Sequence, residues 1–245
     1  MKFLVCTSQV PDTTTKITFT SDKKSFNTSG VQFIINPNDE IALTRALELK
    51  EALGGTVSVI NVGQANTEPN LRKALAIGAD DATRVNAEPT DAYFVAFQIA
   101  EVVKKKFYDV ILTGKESIDY NGGQVPMMLG ELLGIPSVSV ATKLDISGTV
   151  ATLEREIDGG KEVVEMNLPF VAGAQKGMSE PRIPNMRGIM TARSKPLVVV
   201  EPTACELLSG SVQYDLPPAK GECKMIAPNN VGELVNLLHT EAKVI

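Results

Sequence analysis

The sequence predicts an α/β fold: a doubly wound, mostly parallel sheet with an additional β-hairpin region and an extended C-terminal arm. Three observations carry that expectation. Short β-branched runs alternate with segments of helical periodicity from Lys2 to Leu133, the mark of parallel βαβ units. After Pro136 the pattern becomes extended on both sides of Asp158-Gly159-Gly160, and Asp-Gly tolerates the positive φ of a tight hairpin turn. From Glu201 to Ala227 proline and glycine punctuate the chain and no period survives.

In order, Lys2 to Thr7 reads as a buried strand, and Gln9-Val10-Pro11-Asp12 turns the chain away. Lys16 to Thr20 alternates like an exposed strand and ends at a hairpin turn, Ser21 to Lys24. Val31 to Ile35 is extended and stops at Asn36-Pro37, because proline disfavours the helical region for the residue before it. Asn38-Asp39-Glu40 supplies acidic and capping side chains to a first helical turn, and Ala42, Ala46, Leu49 and Leu53 share a face up to Gly54-Gly55. Thr56 to Asn61 is a strand, Val62-Gly63-Gln64 a βα loop, and Thr67 to Ile77 a helix closed by Gly78. After the short β-like run Ala82 to Val85, Thr90-Asp91 caps a helix reaching Val103, with Phe94, Phe97 and Val102 on its apolar side. Lys104 to Lys106 suit the negative end of that helix.

Val110 to Leu112 forms a buried strand, and Gln124 opens a helix that Gly134 and Pro136 stop. Ser137 to Thr142, Leu144 to Ser147, Thr149 to Ile157, Glu162 to Leu168 and Phe170 to Ala174 are extended. Glu180 to Asn185 is a proline-broken loop, Met186 to Arg193 a short helix, and Leu197 to Val200 the last core strand. Val231, Leu234, Val235 and Leu238 have the spacing of a final amphipathic helix.

Composition removes several classes of function. A net charge of −5 argues against nucleic acid or an anionic membrane surface as partner. No apolar run reaches the roughly 18 residues of a membrane span, so no direct membrane insertion is expected. Met1-Lys2 leads straight into a strand without a signal or transit segment. Cys6, Cys205 and Cys223 are scattered and odd in number, which reads as free thiols in a reducing, cytoplasmic compartment. The single histidine, His239, lies at the boundary of the last helix, and no paired metal spacing or nucleophile elbow appears, so no catalytic or metal residues are assigned.

Chemistry concentrates between Phe107 and Leu133. A buried strand feeds a polar loop through Gly114, Lys115, Asp119, Tyr120, Asn121, Gly122 and Gly123, and then a helix N-terminus. Free main-chain N–H groups and a positive helix end suit a phosphate. An ordinary βα loop holding two glycines is the alternative, since neither GxxxxGK[ST] nor GxGxxG is present. The strand ends at Cys6 to Gln9 and Val62-Gly63, with Asn36 to Asp39, would converge on the same place in a doubly wound sheet. Glu154 and Glu156 share one strand face, and Asp158 belongs to the turn.

Several segments in order resemble one family, the β subunit of electron transfer flavoprotein. They are Val10-Pro11-Asp12, Ile35 to Ala42 with Leu49-Lys50-Glu51, Ala74 to Asp80, and Gly114 to Asp119 with Gly123-Gln124-Val125. Glu154 to Gly160, Leu168-Pro169, Glu180-Pro181-Arg182, Ile189-Met190 and Lys195-Pro196 follow. The resemblance covers roughly residues 2 to 200. It implies a Rossmann-like, adenine nucleotide-binding domain in a heterodimer, with a structural AMP here and FAD held mainly by the α subunit. Carried over by position, the AMP pocket would comprise Cys6, Asn36, Pro37, Asn38, Asp39, Val62 and the loop from Asp119 to Gly130, including Gly122, Gly123, Gln124, Val125, Met127 and Met128. Gly123, Gln124 and Val125 would take the phosphate through main-chain N–H groups. Pro181 to Lys195 resembles the family's recognition loop for dehydrogenases, with Met186 where the family has an anchoring leucine and Ile189 and Met190 beside it. Glu156 matches an acidic residue that meets the partner's mobile flavin domain. Ser8-Gln9 stands where a basic pair is usual, and Asn38 where an aromatic is common.

The implied role is a non-catalytic carrier subunit passing electrons from acyl-CoA and related dehydrogenases to a quinone oxidoreductase. Residues 1 to 200 would form the nucleotide-binding domain, including the hairpin 149 to 168 and the recognition loop of about 180 to 195. Residues 201 to 245 would be an arm and helix packing on the partner subunit. Two alternatives stand: an electron-bifurcating relative with a second FAD in the AMP pocket, and an adenine-nucleotide hydrolase or stress-sensor domain on a similar scaffold.

Overall fold

The computed structural model describes residues 1 to 245. They form two units, Met1–Ile17 with Thr28–Val212, and Thr18–Asn27 with Gln213–Ile245. The first unit is built on a nine-stranded, mostly parallel sheet. Strand β1 (Lys2–Cys6) lies between β4 (Thr56–Val62) and β6 (Val110–Gly114). Beyond β4 come β5 (Asp81–Val85) and β11 (Leu197–Val200), and beyond β6 come β10 (Phe170–Ala174), β7 (Ser137–Ser147), β8 (Val150–Ile157) and β9 (Gly160–Asn167). Pairs from β11 across to β7 are parallel, and β7–β8–β9 are antiparallel.

The core follows from strand alternation, which sends successive side chains to opposite faces. Phe3, Val5, Val57, Val59, Val110, Leu112 and Phe170 are buried in one layer, which includes the apolar residues of α1 (Pro37–Leu53) and α2 (Glu68–Ile77). Leu4, Cys6, Ile60, Ile111 and Val171 enter the other layer, with α3 (Ala92–Val103) and α4 (Val125–Leu133). Helices on both faces make the sheet doubly wound, as the alternating pattern predicts. Against the sheet, α3 buries Ala96, Ile99 and Ala100, while the expected Phe94 and Val102 are only partly buried at its margin.

Several local expectations are corrected. Gln9–Pro11 is a strand, β2, paired antiparallel with β3 (Phe33–Ile35), so it does not merely turn the chain. Lys16 to Thr20 is not a strand: only Phe19 bridges Phe26 around the turn at Lys23, because no third strand supports the pair. Asn36, not Asn38 or Asp39, is the N-cap of α1, and its side chain makes no cap bond. The two runs from Ser137 to Ser147 are one strand. Its register shifts between Ala141 and Lys143, and Val140 takes φ +61°, an uncommon conformation for a β-branched residue. That irregularity falls where β7 exchanges parallel pairing with β10 for antiparallel pairing with β8. Leu197–Val200 is an edge strand with Val198 and Val199 exposed, not core.

Within the second unit, Phe19 stacks on Tyr214 with ring centroids 5.0 Å apart, and Lys23 pairs with Asp215 at 2.6 Å. Its helix α6 (Val231–Leu237) buries no residue, so the amphipathic stripe is present but uncovered. No helix is long and apolar enough to cross a membrane.

Candidate functional site

Chain order determines where a crevice opens. From β1 the chain moves outward through β4 and β5, then crosses back to β6 on the other side of β1. The switch lies between β1 and β6, and ligands of open α/β sheets sit outside the strand carboxyl ends at such a point.

Asp39, in the first turn of α1, joins the two strand exits at that switch. Its Oδ2 accepts from Ser8 N and Ser8 Oγ, each at 2.7 Å, and its Oδ1 from Gly114 N at 2.8 Å and Asn36 Nδ2 at 3.1 Å. Asn36 Nδ2 also donates to Glu116 O at 2.8 Å, and Asn38 Nδ2 reaches the same carbonyl at 3.2 Å. Glycine is required at 114, where a Cβ would sit 2.4 Å from Asp39 Oδ1. Asp39 is 4% exposed, and burial pushes its carboxyl up to about 6 against the lowering effect of the bonds from Ser8, Gly114 and Asn36. Burial and the Asp39 charge push the Cys6 thiol up, so it packs as a neutral small hydrophobe and not as a nucleophile.

The exit of β4 forms a second wall. Thr7 N donates to Ile60 O at 2.8 Å, and Asn61 Nδ2 to Thr7 O at 2.8 Å, bringing the end of β1 beside Asn61 and Val62. Gly63 follows in a tight turn, where a Cβ would meet Asn61 Oδ1 and Thr67 Cγ2, each at 2.5 Å. Asn36 Oδ1 and Asn61 Oδ1 are buried acceptors without a partner.

The third wall is the loop after β6. Ser117 N donates to Gly122 O at 3.0 Å, so residues 117 to 122 close on themselves, with Asn121 at φ +55°. Asp119 accepts from Ser117 Oγ, and the Tyr120 ring lies against Gly122. Burial, Asp119 and Asp91 raise the Tyr120 phenol above its usual range. Gln124 is the N-cap of α4 and no side chain caps the helix. The first-turn N–H groups of a helix have no intrahelical acceptor, and here Pro126 removes one of them. Met128 packs at the margin of the α3–α4 layer, and Met127 Sδ lies 3.6 Å from Ser137 Oγ. Met128 N donates to Gln124 O at 3.1 Å, so its main-chain N–H is committed within α4.

Thus Asn36 and Asn38 meet the loop after β6 at Glu116, Asp39 joins Ser8 to Gly114, and Val62 stands across the end of β1. Cys6, by contrast, packs in the apolar layer, and Pro37 opens α1. The sequence brought the segments Cys6 to Gln9 and Gly114 to Gly123 to this place without giving Ser8 or Gly114 a partner. It did not mark Arg84, whose Nη1 donates to Gly63 O at 3.0 Å.

Met186, Ile189 and Met190 lie elsewhere, on α5 (Met186–Ala192). Met186 is 74% and Met190 70% exposed, and Ile183, which the sequence did not mark, is also exposed. Asn185 caps α5 by accepting from Gly188 N at 2.8 Å. Gly188 lets α5 press on α2, since a Cβ there would be 2.2 Å from Ala76 O. Arg72 donates to Ala192 O and Lys195 O at 2.8 and 2.7 Å, and Lys195 Nζ donates back to Leu75 O and Ala79 O at 2.8 and 2.6 Å. A groove of about 620 Å³ runs between these helices. Glu156, exposed on β8, accepts from Gln175 Nε2 at 2.9 Å.

The electron transfer flavoprotein domain family matches residues 24–204. The chain is 38% identical to the electron transfer flavoprotein subunit beta of Bacillus subtilis, with all of both chains covered. It is 38% identical to that of Syntrophomonas wolfei over 90% of this chain and 87% of the relative. It is also 31% identical, over 99% of this chain and 98% of the relative, to the caffeyl-CoA reductase-Etf complex subunit CarD of Acetobacterium woodii. With a doubly wound sheet that switches order between β1 and β6 and relatives spanning its whole length, this chain belongs to the electron transfer flavoprotein family, as a β subunit.

Proposed function

We propose that this chain is the adenylate-binding, non-catalytic half of a heterodimeric electron carrier, with AMP at the β1–β6 switch and FAD held mainly by an α subunit. The observation that carries the reading is the pairing of Asp39, which ties Ser8 to Gly114 across the crevice, with an uncapped α4 N-terminus beside it. The residues fit the nucleotide. A phosphate finds main-chain N–H groups at Gly123, Gln124 and Val125 and the positive helix end without needing a lysine. Gly63 and Gly114 keep the backbone of two walls free of side chains.

AMP supplies no redox chemistry; binding only the folded state, it adds stability by mass action. FAD, when bound, supplies the electron-accepting ring. This chain's own residues bind, orient and exclude water: the walls around Asp39 and Gly63 present backbone to the adenylate, and α5 offers Met186, Ile189 and Met190 to a donor. Acyl-CoA and related dehydrogenases are the proposed donors and a quinone oxidoreductase the acceptor. Three free cysteines fit a reducing, cytoplasmic setting.

The family resemblance leaves one second reading, a further FAD in the AMP cleft. Nucleotide released from the denatured heterodimer and quantified by mass spectrometry separates the two. One AMP and one FAD per heterodimer is the expected result. Two FAD without AMP selects the second reading, and no adenine compound at all refutes both.

A further inference from the structure

We propose that Arg84 is a positioning residue that sets the β4 wall of the adenylate cleft; the inference rests on the adenylate reading above. Arg84 is 5% exposed on β5, and arginine is seldom that buried unless its donors are matched. Its Nη1 donates to Gly63 O at 3.0 Å and Asn86 Oδ1 at 2.8 Å, and its Nε to Glu68 Oε1 at 3.2 Å. Glu68 opens α2, Asn86 follows β5, and Gly63 follows β4. One side chain therefore ties together three element ends, all on the cleft side of the sheet.

The Gly63 peptide needs such a partner. Its N–H donates to Val85 O at 3.0 Å, so β5 already holds one side of the turn. Its carbonyl takes the Arg84 guanidinium, and a buried carbonyl left without a donor is costly. The turn cannot relax toward the sheet, because Asn61 Oδ1 and Thr67 already crowd Gly63. Loss of the guanidinium leaves the Gly63 carbonyl and the Glu68 carboxylate around a hole, and the turn carrying Val62 shifts. Lysine cannot replace the planar fork, which serves three acceptors at once.

The test uses the intact heterodimer stripped of nucleotide and titrated with AMP, as wild type, Arg84→Gln and Arg84→Lys. Arg84→Gln should bind AMP about tenfold more weakly, the scale of one lost charge-assisted hydrogen bond, and Arg84→Lys should recover only part of that. Thermal midpoints give a readout that a purely structural role would not move. General destabilisation lowers the midpoint equally with and without a fixed excess of AMP, whereas positioning shrinks the AMP-dependent rise. If Arg84→Gln does not fold, Asn86→Ala, which keeps the guanidinium and removes one of its three partners, should show a smaller loss in the same assay. Wild-type AMP affinity in the variants overturns the inference. A wild-type heterodimer with no affinity for AMP overturns the adenylate reading itself.

Discussion

Asp39 carries two opposed energies. Its ionised carboxyl is deprived of water, yet it accepts from Ser8, Asn36 and Gly114 at distances of 2.7 to 3.1 Å. The folded-state value near 6 lies above the ordinary 3.8, so the folded protein binds the proton more tightly than the unfolded chain does. The associated stability is fully present below pH 3.8 and is lost as pH rises through about 6, a swing of roughly 3 kcal/mol. Urea unfolding between pH 4.5 and 7 should therefore show a falling contribution that Asp39→Asn abolishes; an unchanged slope in that variant would place the titration elsewhere. Asp39→Ala, by contrast, should cost about 3 kcal/mol at pH 7, because Ser8 N and Gly114 N lose their acceptor. Sequence reading marked Asp39 as a first-turn acid and, by resemblance, a pocket residue. It did not pair it with Ser8 or Gly114, 31 and 75 positions away. Arg84 escaped for the same reason: its partners gather only when β4 and β5 pair.

At the scale of elements, α5 shows how a short helix is held in place by another. Seven residues are marginal as an isolated helix, and here the Asn185 cap, Gly188 against Ala76 and the reciprocal carbonyl bonds of Arg72 and Lys195 keep it on α2. Burial holds the Lys195 ammonium below its usual range, in keeping with a donor committed to main-chain carbonyls. The apolar side chains this leaves in solvent are the proposed contact surface. Met186→Ala should slow reduction of the heterodimer by an acyl-CoA dehydrogenase severalfold, with FAD content and thermal midpoint unchanged; lost flavin would instead make the helix structural. Long periodic elements such as α1, β4 and β6 were legible because burial of one face or both is written in their apolar spacing. The pairing of Gln9–Pro11 with Phe33–Ile35 was not, since three residues carry too little period to display a strand.

For the whole molecule, α6 in the second unit leaves Val231, Leu234 and Val235 in solvent. That uncovered stripe is the proposed interaction site, with the α subunit as its proposed occupant. Leu234→Glu should leave the thermal midpoint of the isolated chain within about 1 °C, because an exposed side chain contributes little to the fold. Gel filtration should show weakened assembly with the α subunit, and full assembly at wild-type concentration would remove α6 from the interface.

The sequence by itself determined the fold class and the long helices and strands of the sheet, because apolar period and turn chemistry act over a few residues. Tertiary structure alone decided that Asp39 closes the β1–β6 switch, that Arg84 holds Gly63, that Leu197–Val200 lies on an edge, and that α6 remains bare. Those outcomes depend on which strands become neighbours and which faces find cover. Neighbourhood in a crossed-over sheet is a property of the folded chain, to which local spacing is blind.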